Sequence, residues 1–191
     1  MCKGGIGLQG KRSKQMYRLT ATAAAAAAMA VLAPWSVPMG PVPVSLCTLL
    51  IYLMACLLGP RQAASAVAVY VLMGAAGLPV FSGFLGGMGR VAGPTGGYIV
   101  GYLPLAAITA AFAGRAHGRR GAYFVGMVLG TALLYGLGTL WYCVQSGTAP
   151  VAALAVCVLP FLPGDGVKML AALALGPVLR DRLERAGQLE R

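Results

Sequence analysis

The chain has 191 residues, of which 59% are hydrophobic and only 10% are charged. So few charged side chains do not cover the surface of a soluble globule of this size, which excludes an ordinary water-soluble fold. Lys and Arg outnumber Asp and Glu by 15 to 4. The basic residues lie before, between and after the apolar stretches, which indicates a membrane topology signal and argues against a nucleic-acid surface.

The first apolar stretch covers about residues 19–37 and follows a basic tail at residues 1–18. A cleaved signal peptide has the same pattern, but further apolar segments follow at once, so we favour a retained first helix. Proline lacks an amide donor and clashes with the preceding helical turn. A connector after the first helix is therefore predicted at four prolines: Pro34, Pro38, Pro41 and Pro43.

Gly5, Gly7 and Gly10 have the spacing of a dinucleotide-binding fingerprint, and Lys11 nearly completes a phosphate-binding loop. We reject both motifs, because they work between a strand and a helix N-terminus and the chain before Gly5 is too short for a strand. We interpret the glycines as part of a flexible basic tail. Any ATP hydrolysis is then expected in another subunit.

Five apolar runs follow the connector, at about 44–58, 62–78, 98–114, 121–144 and 151–181. With the first stretch they predict six transmembrane helices, the last one interrupted between Pro160 and Gly164. The predicted fold class is an all-α integral membrane protein. Its helices form a single domain over residues 19–181, followed by a C-terminal tail at 182–191.

The segment from Pro79 to Gly97, between the third and fourth predicted helices, is rich in Gly and Pro but still apolar. Irregular backbone is tolerated at a membrane only where it is buried against protein or lines a polar cavity. We therefore predict an irregular plug or re-entrant loop beside a ligand site.

Six spans place both termini, Arg61 and the basic cluster at 115–120 on one side, which the positive-inside rule makes cytoplasmic. The opposite side carries a single basic residue, Arg90. Arg90 is therefore not explained by topology.

Small residues are expected to bring helices close together in lipid. The spacings Gly97-x-x-x-Gly101 and Gly126-x-x-x-Gly130 favour packing within the bundle, whereas the run Ala21 to Ala30 is equally compatible with docking a separate membrane subunit. We interpret the cysteines as small core side chains: Cys2, Cys47, Cys56, Cys143 and Cys157. With His117 alone in a basic loop, no metal site is predicted.

Arg90, Asp165 and Lys168 are the only ionised groups predicted in or beside the apolar body away from the cytoplasmic loops, and such groups are functional candidates. Asp165 and Lys168 are three residues apart and share a helix face. They either neutralise each other, with Arg90 reaching the interface, or join Arg90 in a site whose net charge of plus one suits a monoanionic ligand. Aromatic residues are candidates for its walls: Phe81, Phe84, Tyr98, Tyr102 and Trp141.

Several motifs resemble the BioY family, the biotin-specific S components of energy-coupling-factor (ECF) transporters. The strongest is Gly77-Leu78-Pro79-Val80-Phe81 leading through Gly86-Gly87 to Gly93-Pro94-Thr95-Gly96-Gly97-Tyr98. Others are Val42-Pro43-Val44-Ser45, Leu58-Gly59-Pro60-Arg61 and Leu159-Pro160-Phe161-Leu162-Pro163-Gly164-Asp165-Gly166-Val167-Lys168. The resemblance covers roughly residues 20–180.

The resemblance implies a six-helix S-component fold in the bacterial plasma (inner) membrane, with both termini cytoplasmic. Such a protein binds biotin near the outer face, needs no cofactor and is not itself an enzyme. Its partners are a transmembrane coupling subunit, a pair of ATPase subunits and the lipid bilayer. The 79–97 loop and the loop between the first two spans are expected to act as lids, and the bundle to topple in the membrane during transport.

By position, Asp165 and Lys168 match the family's acid and lysine that hold the polar groups of biotin, and Arg90 matches the basic position of the glycine-rich loop. We expect Asp165 to accept ureido N–H groups; the carboxylate partner is left open between Arg90 and Lys168. Further candidate contacts are Tyr98, Trp141 and Ser82. The face at Ala21, Ala25 and Ala28 resembles the family's surface for the coupling subunit.

Three alternatives remain: a carrier for another small carboxylate vitamin, a membrane-embedded enzyme with Asp165 as base, and a facilitator or scaffold without ligand specificity. The sequence shows no second buried carboxylate, serine–histidine pair or metal ligands beside Asp165, which argues against the enzyme.

Overall fold

The computed structural model describes residues 5–37, 44–115 and 120–185, and this part of the chain is almost entirely helical. The helices are α1 (Gly5–Leu32), α2 (Cys47–Leu57), α3 (Pro60–Ala75), α4 (Met88–Ala92), α5 (Gly96–Arg115), α6 (Arg120–Ser146), α7 (Pro150–Cys157) and α8 (Leu162–Arg185). Two short strands, β1 (Ser36–Val37) and β2 (Val44–Ser45), pair antiparallel between α1 and α2. The all-α prediction is confirmed.

Helix α1 differs from the prediction at both ends. It begins at Gly5, so the part of the basic tail that the structure describes is helical, and the expectation of a flexible tail was wrong there. It ends at Leu32, before Pro34, and not near residue 37. The other prolines of the connector lie outside the described residues, as do Cys2 and His117.

Within the described ranges, three helices are each long and apolar enough to cross a membrane: Gly96–Arg115, Arg120–Ser146 and Leu162–Leu183. Helix α2 is apolar but has 11 residues. At about 1.5 Å per residue it covers roughly half of a hydrocarbon core about 30 Å thick. The count of six spans therefore stays a prediction.

The interface between α5 and α6 is tight because glycines on each helix face large side chains on the other. A Cβ added to Gly101 would lie 2.8 Å from Leu134 Cδ1, and one added to Gly126 would lie 2.5 Å from Phe112 Cβ. Gly97 faces Trp141 in the same way. The interpretation of both glycine pairs as packing within the bundle is confirmed.

Replacing Gly126 by Ala is expected to lower the free energy of unfolding by about 1–3 kcal/mol, because the added methyl overpacks the contact with Phe112. Gly136 is the matched control on the same helix, since a Cβ there meets nothing within 4 Å. Gly136→Ala should be neutral or up to about 1 kcal/mol more stable. Reversible denaturation in detergent measures both, and equal stability of the two variants would refute the tight contact.

The segment between α3 and α5 is held by hydrogen bonds on several sides. Gly87 N donates to Gly74 O at 2.7 Å, and the Tyr70 hydroxyl donates to Val80 O at 3.1 Å. The backbone of this segment is mostly irregular, but it contains the five-residue helix α4. Its turns need left-handed backbone at Gly83 and Gly87, with φ of 76° and 95°. This folded segment positions Arg90, which lies on α4.

Candidate functional site

Asp165 lies in the first turn of α8, where a negative charge is favoured by the helix dipole, and Lys168 follows one turn later. Their side chains are 8% and 13% exposed, and Lys168 Nζ lies 2.9 Å from Asp165 Oδ1. The prediction that the two share one helix face is confirmed. A buried pair of this kind is stable only when its remaining polar atoms are also satisfied.

The ammonium of Lys168 is satisfied by three acceptors on three elements. It donates to Asp165 Oδ1, to Ser45 O at 2.8 Å and to Thr48 Oγ1 at 3.0 Å. Ser45 belongs to β2 and Thr48 to α2, so the hydrogen bonds of Lys168 connect α8 to the start of α2 and to the strand that precedes it.

The carboxylate of Asp165 accepts hydrogen bonds on both oxygens. The Thr48 hydroxyl donates to Oδ1 at 3.2 Å, and the Tyr135 hydroxyl of α6 donates to Oδ2 at 2.5 Å. Together with Lys168, these donors fix the carboxylate between α2, α6 and α8.

This cluster opens on a cavity of about 380 Å³, counted with the solvent space at its mouth, which we call the aspartate chamber. Its walls are aromatic and aliphatic, and its polar end is formed by Asp165 and Lys168. The lining residues are Ser45, Thr48, Tyr98, Tyr102, Leu134, Tyr135, Cys157, Phe161, Asp165 and Lys168.

A second cavity of about 440 Å³, counted in the same way, is the arginine chamber. It is lined by Tyr70, Phe81, Ser82, Arg90, Thr95, Tyr98, Ile99 and Tyr102. Tyr98 and Tyr102 line both chambers, because they lie four residues apart on one face of α5. The two chambers are therefore neighbours, with a cation–carboxylate pair in one and an arginine in the other.

The connection between α1 and α2 touches the segment between α3 and α5. Gly83 N donates to Pro34 O at 2.9 Å, and the rings of Trp35 and Phe84 meet edge to face with centroids 5.8 Å apart. Since Lys168 also holds Ser45, the residues at the two predicted lids contact each other and the charged pair.

The structure brings five of the six predicted contact residues to the chambers: Ser82, Arg90, Tyr98, Asp165 and Lys168. Trp141 is not among the lining residues. The residue is 40% exposed, and its indole N–H donates to Gly93 O at 2.9 Å, so Trp141 contacts the end of the glycine-rich segment from outside the chambers. Phe84 is exposed against Trp35, whereas Phe81 and Tyr102 line the chambers as expected.

Sequence reasoning missed the hydroxyl donors around Asp165. Thr48 and Tyr135 stand 117 and 30 residues from Asp165 in the chain. The only signal was a hydroxyl group inside an apolar helix, which many packed helices also contain. Three of the cysteines, Cys47, Cys56 and Cys157, are buried as predicted, and Cys157 also lines the aspartate chamber.

The alanine run of α1 and the residues after it fall into three groups: a buried side, a side that lines a groove, and an exposed strip. Ala26, Met29 and Ala33 are buried against the bundle. Ala21 and Ala25 line an apolar groove of about 530 Å³ between α1, α2 and α8. The exposed positions form a strip of small residues: Ala23, Ala24, Ala27 and Ala28.

A sequence model of the BioY family matches residues 9–185 of the chain. A biotin transporter BioY of Thermotoga maritima is 36% identical over 76% of this chain and 85% of its own length. A probable biotin transporter BioY of Pyrococcus horikoshii is 34% identical over 78% of this chain and 85% of its own length. Biotin transporter BioY2 of Lactococcus lactis subsp. cremoris is 31% identical over 88% of this chain and 92% of its own length.

One solved structure is similar over most of both chains. It is the crystal structure at 2.1 Å of the S-component for biotin from an ECF-type ABC transporter, with a TM-score of 0.81 and 26% sequence identity. The match covers 88% of this chain and 93% of that chain.

Proposed function

Because the chain belongs to the BioY family, we propose that it binds biotin and takes it up as the substrate-binding S component of an ECF-type importer. One observation carries this proposal: the buried Asp165–Lys168 pair lies in a chamber that shares Tyr98 and Tyr102 with the chamber of Arg90. Biotin has a matching form, with a neutral urea at one end, a carboxylate at the other and an apolar body between them.

The urea is proposed to bind in the aspartate chamber, with a ring N–H donated to the carboxylate of Asp165. The apolar rings and chain then lie against Tyr98 and Tyr102, and the carboxylate reaches Arg90. Arg90 suits this role better than Lys168, because all three hydrogens of Lys168 have acceptors within the protein. In the part of the chain that the structure describes, Arg90 has no ion-pair partner.

Because the chain belongs to a family of transporters, it is a transporter subunit that binds its ligand without converting it. Uptake is proposed to need a transmembrane coupling subunit and two ATPase subunits as partners. Directional movement requires two states that differ in ligand affinity. The structure is proposed to represent one of these states. In it the two predicted lids contact each other, and Lys168 donates a hydrogen bond to Ser45 O.

The proposed location is the bacterial inner membrane, with both termini in the cytoplasm. The proposed spans are the parts of α1, α2, α3, α5, α6 and α8 that lie within the single domain over 19–181. This arrangement puts Arg61, Arg115, Arg120 and the basic end of α8 on the cytoplasmic side, in agreement with the positive-inside rule. Arg90 then lies near the outer face together with the two chambers.

Equilibrium binding of radiolabelled biotin to the purified protein tests the proposed function. Saturable binding that is displaced by unlabelled biotin, but not by lipoate, pantothenate or nicotinate, is the expected result. Displacement by one of these other vitamins instead of biotin would assign the site to another carboxylate ligand. Recovery of a chemically altered biotin would indicate an enzyme.

The exposed strip of alanines on α1 is proposed to contact the coupling subunit, since small side chains let helices approach closely in lipid. Ala28→Trp should lower biotin uptake by about tenfold or more in cells that contain all subunits, because the indole separates the two helices. The affinity of the purified protein for biotin should stay unchanged.

Val128→Trp is the control for this test, because Val128 is 41% exposed on α6, a helix that packs mainly against α5. It should leave both uptake and binding intact. Normal uptake and normal co-purification of the Ala28→Trp protein with its partners would assign the coupling surface elsewhere, including the groove at Ala21 and Ala25.

A further inference from the structure

The hydrogen bonds around Asp165 leave few of its acceptor positions for a ligand. Each carboxylate oxygen accepts about two hydrogen bonds. Oδ1 already accepts from Lys168 at 2.9 Å and Thr48 at 3.2 Å, so both of its positions are used. Oδ2 accepts from the Tyr135 hydroxyl alone. One acceptor position therefore remains, and it lies beside Tyr135.

Lys168 offers no donor to complement that position. An ammonium has three N–H groups, and those of Lys168 are directed at Asp165, Ser45 and Thr48. A ligand that took one of them would have to break a buried hydrogen bond. Lys168 is thus a positioning residue in this state, and Asp165 Oδ2 is the polar atom that a ligand meets.

We infer that Tyr135 is a specificity-determining residue, which restricts Asp165 to a single ligand N–H by occupying the other position on Oδ2. Tyr135 also lines the aspartate chamber, so it lies within reach of a bound ligand. This inference rests on the proposed function and deepens it. It explains how a site with a buried carboxylate selects a neutral urea over a cation.

The selection follows from the directions of the donors. The two N–H groups of a five-membered cyclic urea point to opposite sides, so one carboxylate receives only one of them. A cyclic guanidinium has an exocyclic N–H parallel to a ring N–H, and this pair needs two acceptor positions side by side. That second acceptor position is not free on Asp165, because its carboxylate already accepts hydrogen bonds from Tyr135, Lys168 and Thr48.

The test compares three ligands on the purified protein: biotin, 2-iminobiotin, in which a guanidinium replaces the urea, and desthiobiotin, which keeps the urea and lacks the sulfur. The wild type should prefer biotin to 2-iminobiotin. Tyr135→Phe should lower that preference by about tenfold, the effect of one hydrogen bond. The preference for biotin over desthiobiotin should stay the same, because both ligands present the same urea.

Tyr142→Phe is the matched control, since it removes a hydroxyl from the same helix away from the chambers, and it should leave all ratios unchanged. Thr48→Val frees an acceptor position on Asp165 Oδ1 and should also lower the preference for biotin over 2-iminobiotin. This variant therefore tests the inference if Tyr135→Phe does not fold. An unchanged ratio of biotin to 2-iminobiotin in both folded variants would overturn the inference. Failure of the wild type to bind biotin would instead remove the proposed function.

Discussion

Replacing Asp165 by Asn should lower the affinity for biotin by about 100-fold or more. The amide has no charge and carries N–H groups on one side, so Tyr135, Thr48 and Lys168 lose an acceptor that they share. Hydrogen bonds to a charged group contribute about 1.5–3 kcal/mol each. Equilibrium binding of labelled biotin measures the loss.

The same substitution should also destabilise the protein, by about 3–5 kcal/mol, because it leaves the ammonium of Lys168 buried without its counter-ion. The double variant Asp165→Asn/Lys168→Met removes both charges and should recover much of the stability without recovering biotin binding. Asp181→Asn is the control, since Asp181 is an exposed acid further along α8. If the stabilised double variant bound biotin normally, Asp165 would have no part in the site.

Replacing Arg90 by Ala should weaken biotin binding by about 100-fold, because it removes the cation proposed to hold the ligand carboxylate. Arg90→Lys should give an intermediate affinity, since it keeps the charge but loses the planar pair of donors. Titration with biotin and with biotinamide, its uncharged counterpart, measures the effect. Biotinamide should bind the wild type and Arg90→Ala with similar affinity.

The comparison of the two ligands separates a contact from an effect on folding. If Arg90 only supported α4, its loss would weaken biotin and biotinamide equally, and that outcome would contradict the proposed carboxylate contact. Arg61→Ala serves as the control, because Arg61 is exposed in the first turn of α3 and outside both chambers. It should leave both affinities unchanged.

The membrane class and the order of the helices were predictable from the sequence alone. Long apolar runs are a strong signal, because a bilayer demands them. Clusters of proline and glycine separate several of those runs, and the break between α7 and α8 falls where Pro160 stands. Ionised groups inside apolar surroundings are costly, so their positions in the sequence were enough to identify Arg90, Asp165 and Lys168 as candidates.

Helix ends and tail structure were less predictable. Helix α1 extends to Gly5, although glycine and charged residues there give no apolar pattern. Its other end comes before Pro34 because the chain turns into the β1–β2 hairpin. The chain after α1 is held by a contact that is distant in the sequence, since Gly83 N donates to Pro34 O.

The amino-acid order by itself determined the all-helical membrane class and the few charges within the apolar body. Which side chains surround those charges was decided only by the tertiary structure. In lipid, the outer face of a helix is as apolar as its inner face, so hydrophobic periodicity does not reveal how each helix is rotated. Tyr135 meets Asp165, and Trp141 faces Gly97 outside the chambers, through rotations of α6 that come from packing against α5 and α8. For the same reason the exposed strip of α1 is defined only by the burial of Ala26 and Met29 against the bundle.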